Sequence, residues 1–157
     1  MSDEQSGNDQ SADDGASKIW ESIESLAESQ IDQLVELYRG EWWCSERERA
    51  DVEKMLTETD LVFGIQRKDD LSLIGFARAL TDFSYHALIF DVIVAPEYRG
   101  LGLGRALMLQ IVEHPRLETI GVKWLCCLPE MRKFYEQWGF SAELGQLIWM
   151  RCPSLDE

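Results

Sequence analysis

Val94-Ala95-Pro96-Glu97-Tyr98-Arg99-Gly100-Leu101-Gly102-Leu103-Gly104-Arg105 is the stretch that decides the fold of this 157-residue chain. It follows an apolar run at 87–94, which predicts a buried strand, and it precedes an amphipathic run, which predicts a helix. Three glycines at alternate positions leave backbone N–H groups uncovered where that helix begins. Free N–H groups and the helix dipole both favour negative charge at such a point. We therefore predict that the glycine loop, residues 99–105, holds an anion.

Two familiar phosphate-binding loops do not fit the glycine loop. A nucleotide P-loop needs Gly-Lys-Ser/Thr at the helix start, but here Gly104 is followed by Arg105 and Ala106. A dinucleotide fingerprint needs Gly-x-Gly-x-x-Gly, whereas the spacing here is Gly-x-Gly-x-Gly. A tight turn that only lets a strand pack closely against a helix stays open as the structural alternative.

Strands and helices alternate irregularly along the rest of the chain. Apolar runs predict strands at 19–23, 61–66, 71–80, 87–94, 122–128, 140–144 and 146–150. Helical spacing predicts helices at 29–38, 102–113 and 129–139, and one more that begins with Ser45 and Glu48 as a capping box. Because hairpins accompany crossovers, we expect an α/β (α+β) fold with a mixed sheet.

Length and composition limit the classes to which the chain can belong. Its 157 residues suit one domain, and 45% hydrophobic residues are enough for a core. We expect one domain over 18–152, a disordered acidic tail at 1–17 and a short tail at 153–157. The net charge of −14 opposes nucleic-acid binding and favours a cationic partner.

The sequence predicts no membrane contact, no metal site and a reducing compartment. The longest apolar runs fall short of a membrane span, and no secretion signal is recognisable. The cysteines form no CxxC pair, so neither a zinc site nor a disulfide framework follows. They are Cys44, Cys126, Cys127 and Cys152. Reduced, buried thiols in a cytoplasmic protein are the simplest interpretation.

Two motifs together resemble the GNAT superfamily of acyl-CoA N-acyltransferases. Residues 99–104 match its Arg/Gln-x-x-Gly-x-Gly/Ala loop, and the Val-x-Pro-x-Tyr-Arg lead-in at 94–99 matches as well. Residues 134–140 resemble its second signature, Phe-Tyr-x-x-x-Gly-Phe. The resemblance covers about residues 18–150. It implies a mixed, mostly antiparallel sheet of six to seven strands, splayed between the two central strands and flanked by about four helices.

The resemblance also implies acetyl-CoA as co-substrate, with no metal. Loop amides hold the CoA pyrophosphate in this family, and that role falls here to Gly100, Leu101, Gly102, Leu103, Gly104 and Arg105. Arg99 and Arg105 would add positive charge. The pantetheine arm would pair with the end of the preceding strand, at Val92, Ile93 and Val94. Only glycine allows so close a backbone approach, which agrees with this reading.

Tyr135 matches the tyrosine that many relatives place near the thioester sulfur. A phenol can protonate the departing CoA thiolate as a general acid. The alternative is a packing tyrosine among neighbouring aromatic residues. Residues 128–132 lack the asparagine that the family often has after its fifth strand.

A general base for the acceptor amine has four candidates, namely Asp91, Glu41, Asp82 and His86. Asp91 interrupts an apolar strand, where an unpartnered carboxylate is costly to bury. It resembles an acidic position in relatives that act on small amines, and the alternative is a structural aspartate. Leu88 stands where histone-type relatives carry a glutamate.

The acceptor side is predicted from aromatic residues. Trp42 and Trp43 follow Glu41 in the loop between the first two helices, and Tyr85 precedes the central strand. Aromatic rings can hold an ammonium group by cation–π contact or a flat acceptor by stacking, although packing is the alternative for each.

The sequence thus predicts an acetyl-CoA-dependent N-acetyltransferase acting on a small cationic or aromatic amine. A protein lysine or N-terminal acetyltransferase is the alternative within the class. A CoA-binding sensor without turnover is the alternative outside it. Dimers through the last strands are common in the family, and residues 146–150 are the candidate contact for a homodimer.

Overall fold

A computed structural model describes residues 19–153. The predicted tail at 1–17 lies outside this range, as does all but the first residue of the tail at 153–157. The described chain runs through β1 (Trp20–Ile23), α1 (Glu28–Arg39), α2 (Arg49–Thr57), β2 (Leu61–Arg67), β3 (Leu73–Thr81), β4 (His86–Val94), α3 (Leu103–Val112), β5 (Val122–Trp124) and α4 (Arg132–Glu136). Short 3-10 turns at Pro96–Tyr98 and Pro129–Met131 precede α3 and α4.

The strands form one mixed sheet in the order β1-β2-β3-β4-β5. The first four strands pair antiparallel, and β5 lies parallel to β4, with His86 opposite Val122. The predicted α/β fold with a mixed, mostly antiparallel sheet is therefore confirmed. None of the helices within 19–153 is long and apolar enough to cross a membrane.

The predicted number of strands is wrong, because residues 19–153 form five strands instead of six to seven. The strand expected at 122–128 ends at Trp124, where β4 no longer lies alongside to pair with it. Residues 140–144 and 146–150 form no strand, and Leu147, Ile148, Trp149 and Met150 stay exposed. Apolar residues at strand spacing pair only where a partner edge is within reach. The role of 146–150 in a homodimer stays a prediction, which sedimentation of the full chain would test.

Two predicted helices also begin or end elsewhere. Glu48, not Ser45, caps α2, because residues 41–46 form turns before the helix. The helix expected at 129–139 consists of a 3-10 turn followed by the short α4. Pro129 sits at the start of that turn, where its missing N–H costs no hydrogen bond.

The core consists of two clusters that pack against the sheet. One cluster joins α3, through Leu107 and Ile111, to Phe63 and Ile65 of β2. The other joins α1 and α2, through Leu34, Tyr38 and Val52, to Phe76 and Ile93. Because helices cover both sides of β3, every residue from Leu73 to Ala79 is buried.

Strand β4 is irregular at its centre. Arg78 of β3 lies opposite Phe90 of β4, and Phe76 lies opposite Ile93. The single β3 residue between them therefore faces two residues of β4, Asp91 and Val92, which form a β-bulge. Asp91 has a φ of 57°, which is uncommon for a residue with a side chain. β4 pairs with β5 only over 86–88 and then diverges, which is the splay that the resemblance implied.

Candidate functional site

The glycine loop presents a row of free backbone N–H groups. Gly100 and Gly102 have φ values of 78° and 83°, and Gly102 is the N-cap of α3. The first amide to bond into the helix is that of Ala106, which donates to the Gly102 carbonyl at 3.0 Å. Within 19–153, none of the N–H groups from Gly100 to Arg105 makes a well-aligned hydrogen bond to another group of the chain, although residues 99–102 form turns. This row of donors is suited to a large anion.

The conformation of the loop, and not crowding by the protein, requires its first two glycines. A Cβ placed on Gly100 or Gly102 would meet no atom within 4 Å, so the space beside the backbone is open. A Cβ on Gly104 would lie 3.5 Å from the Phe134 ring. The tight-turn alternative therefore describes Gly104, whereas the other two glycines face free space that a ligand can enter.

Arg99 and Arg105 already have partners within the chain. Arg99 donates from Nε to the Val94 carbonyl at 3.0 Å and from Nη2 to Glu41 at 2.5 Å. The Arg105 guanidinium lies over the Trp138 ring, 5.2 Å from its centroid. Arg99 thus links the predicted acceptor loop to the end of β4.

The end of β4 has a free edge next to the glycine loop. Ile93 is buried, and Val92 and Val94 are half-buried. Beyond Leu88, no strand in the described part of the chain pairs with β4 on the side facing β5. Apart from the Val94 carbonyl, which accepts from Arg99, the backbone of this edge is therefore available to an extended ligand.

Tyr135 lies in α4, close to the start of α3. Its ring is 8% exposed and packs edge-on against Phe134 at 5.0 Å and Phe140 at 6.3 Å. Its hydroxyl makes no hydrogen bond to any residue of 19–153. Burial raises the pKa of Tyr135 to about 12, so the phenol is protonated at neutral pH. Because Phe134 lies beside Gly104, the fold brings the two sequence motifs together.

Asp91 is the centre of a buried polar cluster. Its Oδ2 accepts hydrogen bonds from Arg78 Nε at 2.6 Å, Tyr38 Oη at 2.9 Å and Arg47 Nη1 at 3.0 Å. These partners come from β3, α1 and the loop before α2. We call this set, Tyr38, Arg47, Arg78 and Asp91, the aspartate hub.

The charges of the aspartate hub fix its protonation. Burial alone would raise the pKa of Asp91, but the hydrogen bonds from Arg47 and Arg78 outweigh it and hold the pKa below its usual value. Burial, followed by the nearby Asp91 charge, raises the pKa of Tyr38 well above its usual value. Asp91 is thus an ionised carboxylate whose Oδ2 accepts all three of these hydrogen bonds.

The other base candidates also have defined partners. Asp82 accepts hydrogen bonds from the backbone N–H groups of residues 84–86, and these bonds lower its pKa. His86 Nδ1 accepts from the Trp124 indole at 3.1 Å. Glu41 is paired with Arg99. Each of these groups therefore has a structural role.

The loop between α1 and α2 borders an open cavity of about 290 Å³ at the surface. Trp42 and Trp43 are exposed along its wall, and Cys44 is buried beside it. Its lining consists of Trp42, Trp43, Cys44, Ser45, Glu46, Arg47 and Asp51. Tyr85 is exposed but does not line the cavity, so the structure groups the two tryptophans without it.

Sequence reasoning missed Tyr38, Arg47 and Arg78. Arg78 carried a signal, because it interrupts an apolar strand just as Asp91 does in the next one. Tyr38 reads as a core residue of an amphipathic helix. Arg47 carried no signal, since only the tertiary structure brings its loop over β4. Residues 19–153 contain no cluster of three His, Cys, Asp or Glu side chains suited to a metal, and their four cysteines are unpaired.

The sequence matches a known protein family. Residues 25–140 match the Acetyltransferase (GNAT) family. The uncharacterized N-acetyltransferase ycf52 of Porphyra purpurea is 33% identical over 113 residues, which are 68% of this chain and 65% of that protein. The chain therefore spans slightly less than two thirds of this relative's length.

Solved structures share the fold. A putative GNAT acetyltransferase from Xanthomonas campestris matches with a TM-score of 0.69 and 27% identity, covering 86% of this chain and 96% of that one. AAC(6')-Iy, solved with the bisubstrate analog CoA-S-monomethyl-acetylneamine, matches with a TM-score of 0.62. It covers 86% of this chain and 99% of that one at 18% identity, which shows a common fold alone.

We predict that Asp91→Asn lowers the free energy of unfolding at pH 7 by about 3–5 kcal/mol, because two guanidinium groups lose their buried carboxylate. Since the pKa of Asp91 is lower in the folded state, its contribution is complete above about pH 4 and declines as the pH falls through the folded-state pKa. Urea denaturation at pH 7 and pH 3 measures both effects.

The matched control for this prediction is Asp69→Asn. Asp69 forms an ion pair with Arg67 at the surface, where solvent screens the interaction, so a far smaller loss is expected. Equal losses for the two variants would contradict the assignment of Asp91 as the hub of a buried cluster.

Proposed function

Since the chain belongs to the GNAT family of acetyltransferases, we propose that it moves an acetyl group from acetyl-CoA to the primary amine of a small molecule. The observation that carries the proposal is the row of free N–H groups in the glycine loop, beside the free edge of β4 and near Tyr135. These features supply a site for the donor and a proton for its leaving group.

The donor is expected to bind across the glycine loop and β4. The pyrophosphate accepts hydrogen bonds from the amides between Gly100 and Arg105. These amides lie at the N-terminal end of α3, where the helix dipole is positive. The pantetheine arm lies along the free edge at Val92, Ile93 and Val94, where its amides replace a missing strand. Arg99 connects the glycine loop to the end of β4, because it donates a hydrogen bond to the Val94 carbonyl.

The reaction is expected to be a direct transfer. The neutral amine attacks the acetyl carbonyl carbon, and the tetrahedral intermediate collapses with cleavage of the carbon–sulfur bond. Tyr135 donates its hydroxyl proton to the departing thiolate, while the amine loses a proton to water. A buried phenol with a pKa of about 12 keeps that proton ready at neutral pH.

A small acceptor is favoured by the cavity in the loop between α1 and α2. Its volume of about 290 Å³ is at the lower end for a ligand pocket, and two tryptophans form its wall. We propose that Asp91 serves this acceptor site by ordering its loop, because it bonds Arg47 directly.

A panel of amines tests the function. Purified full-length chain is incubated with acetyl-CoA and amino acids, arylalkylamines, polyamines or peptides, and both CoA and the acetylated product are quantified by chromatography. Chromatography avoids thiol reagents, which would label the exposed Cys126, Cys127 and Cys152. Release of CoA with small amines alone supports the proposal. Transfer to peptides alone would indicate a protein acetyltransferase, and CoA binding without any transfer would indicate a sensor.

Gly102→Ala is expected to weaken CoA binding by at least about tenfold. The new methyl group would occupy the space beside the loop, and the φ of 83° at Gly102 is strained for alanine. Gly145→Ala is the matched control, because Gly145 also has a positive φ and open surroundings but lies outside the loop. Calorimetric titration with CoA measures both variants, and equal affinities in the two would contradict the assigned pyrophosphate site.

Tyr135→Phe is expected to lower kcat by about a hundredfold while CoA affinity is kept, because only the proton donor is lost. Since burial raises the pKa of Tyr135 to about 12, the wild-type kcat should not decline through its ionisation below about pH 10. Steady-state kinetics from pH 6 to pH 10 measures this. An unchanged kcat in the variant would remove Tyr135 from the mechanism.

A further inference from the structure

A guanidinium group forms part of the cavity wall in the loop between α1 and α2. Arg47 lines the cavity, and its guanidinium carbon lies 4.5 Å from the Tyr38 ring centroid and 5.7 Å from that of Trp43. Its Nη1 donates to Asp91 Oδ2 at 3.0 Å and lies 3.8 Å from the sulfur of Met55. These contacts fix the plane of the guanidinium before any ligand enters.

The Nε and Nη2 groups of this guanidinium have no hydrogen-bond partner among the residues that the structure describes. An arginine carries five N–H donors in a rigid fork, which matches the two oxygens of a carboxylate. Arg47 therefore combines a fixed orientation with unused donors in a wall of a cavity.

The positive and negative charges of the aspartate hub do not balance. Two guanidinium groups, on Arg47 and Arg78, share one oxygen of Asp91, and Tyr38 is neutral at physiological pH because burial raises its pKa. The hub thus carries one positive charge more than negative. A bound monoanion beside Arg47 would complete this balance in a site partly shielded from water.

The carboxylates expected to attract a cationic acceptor are already engaged. Glu41 is paired with Arg99, and Asp91 with Arg47 and Arg78. Neither therefore offers an unpaired negative charge to an ammonium group. Glu46 and Asp51, which also line the cavity, oppose a doubly charged phosphate but tolerate a zwitterion.

We propose that Arg47 binds the carboxylate of the acceptor, which is then an α-amino acid with an apolar or aromatic side chain. The inference rests on the proposed function for treating the cavity as the acceptor site. Arg47 takes the carboxylate in its free fork, and Trp42 and Trp43 contact the side chain. Asp91 acts as a positioning residue, because it bonds Arg47. Since Asp91 lies in the β4 bulge, the carboxylate site lies beside the strand proposed for pantetheine.

Binding of a product pair tests the proposal without requiring turnover. N-acetylphenylalanine and its amide differ only in the carboxylate, and each is titrated calorimetrically into the full chain saturated with CoA. The acid is expected to bind at least about tenfold more tightly than the amide, because only the acid forms a charged, two-point contact. Equal affinities, or binding of neither compound, would overturn the proposal.

Variants at Arg47 assign the preference to this residue. Arg47→Gln is expected to reduce the acid-to-amide ratio to about threefold or less, and Arg47→Lys to leave an intermediate ratio, because lysine keeps the charge but not the fork. Arg49→Gln is the matched control, since Arg49 pairs with Glu28, Asp32 and Glu53 outside the cavity, and it should keep the wild-type ratio. A wild-type ratio in Arg47→Gln would refute the role of Arg47.

Activity separates this proposal from the proposed function. The kcat/KM ratio of phenylalanine to phenylalaninamide should follow the binding ratio in the wild type and fall in Arg47→Gln. If the chain acetylates amines but ignores the carboxylate, the proposed function stands and the role of Arg47 fails. If the binding ratio stands without any acetyl transfer, the carboxylate site stands and the proposed function fails.

Discussion

The buried contact between Asp91 and its two arginines is the interaction on which the rest of the site depends. It joins β4 to β3 through Arg78, and it joins β4 to the α1–α2 loop through Arg47. A buried carboxylate that lost these partners would face the full cost of desolvation, so the four members hold one another in place. The left-handed backbone of Asp91 and the β4 bulge are kept within this arrangement.

Because of its bulge, β4 both supplies Asp91 to the aspartate hub and carries an unpaired backbone edge. Asp91 bonds Tyr38 of α1 and Arg47 of the α1–α2 loop, whereas the residues that follow it leave an unpaired backbone edge where β5 has diverged. The glycine loop begins directly beyond that edge, and its amides remain unbonded because α3 starts at Leu103. The aspartate hub and the edge proposed for the donor thus lie on successive residues of one irregular strand.

The quality of the sequence predictions followed the range of the interactions involved. The glycine loop was predictable, because positive φ values and a helix start depend on neighbouring residues. Strand β4 was predictable from its apolar run. The role of Tyr135 stays a prediction from a short motif. The closing strands were not, because Leu147 to Met150 have strand character but meet no partner edge. Likewise, Ser45 was predicted as the N-cap of α2, but turns before the helix place the N-cap at Glu48.

By itself, the sequence determined that the fold is mixed α/β, that the chain resembles the GNAT family, and that a glycine loop begins α3, because apolar periodicity, two short motifs and local backbone geometry carry these features. Only the tertiary structure decided the state of the charged groups. Asp91 appeared in the sequence as a lone acid suited to a base or to a cation, and folding gave it two arginines from distant parts of the chain. The reason is physical: the energy of a charge depends on what surrounds it in space, and a linear pattern does not contain those distances.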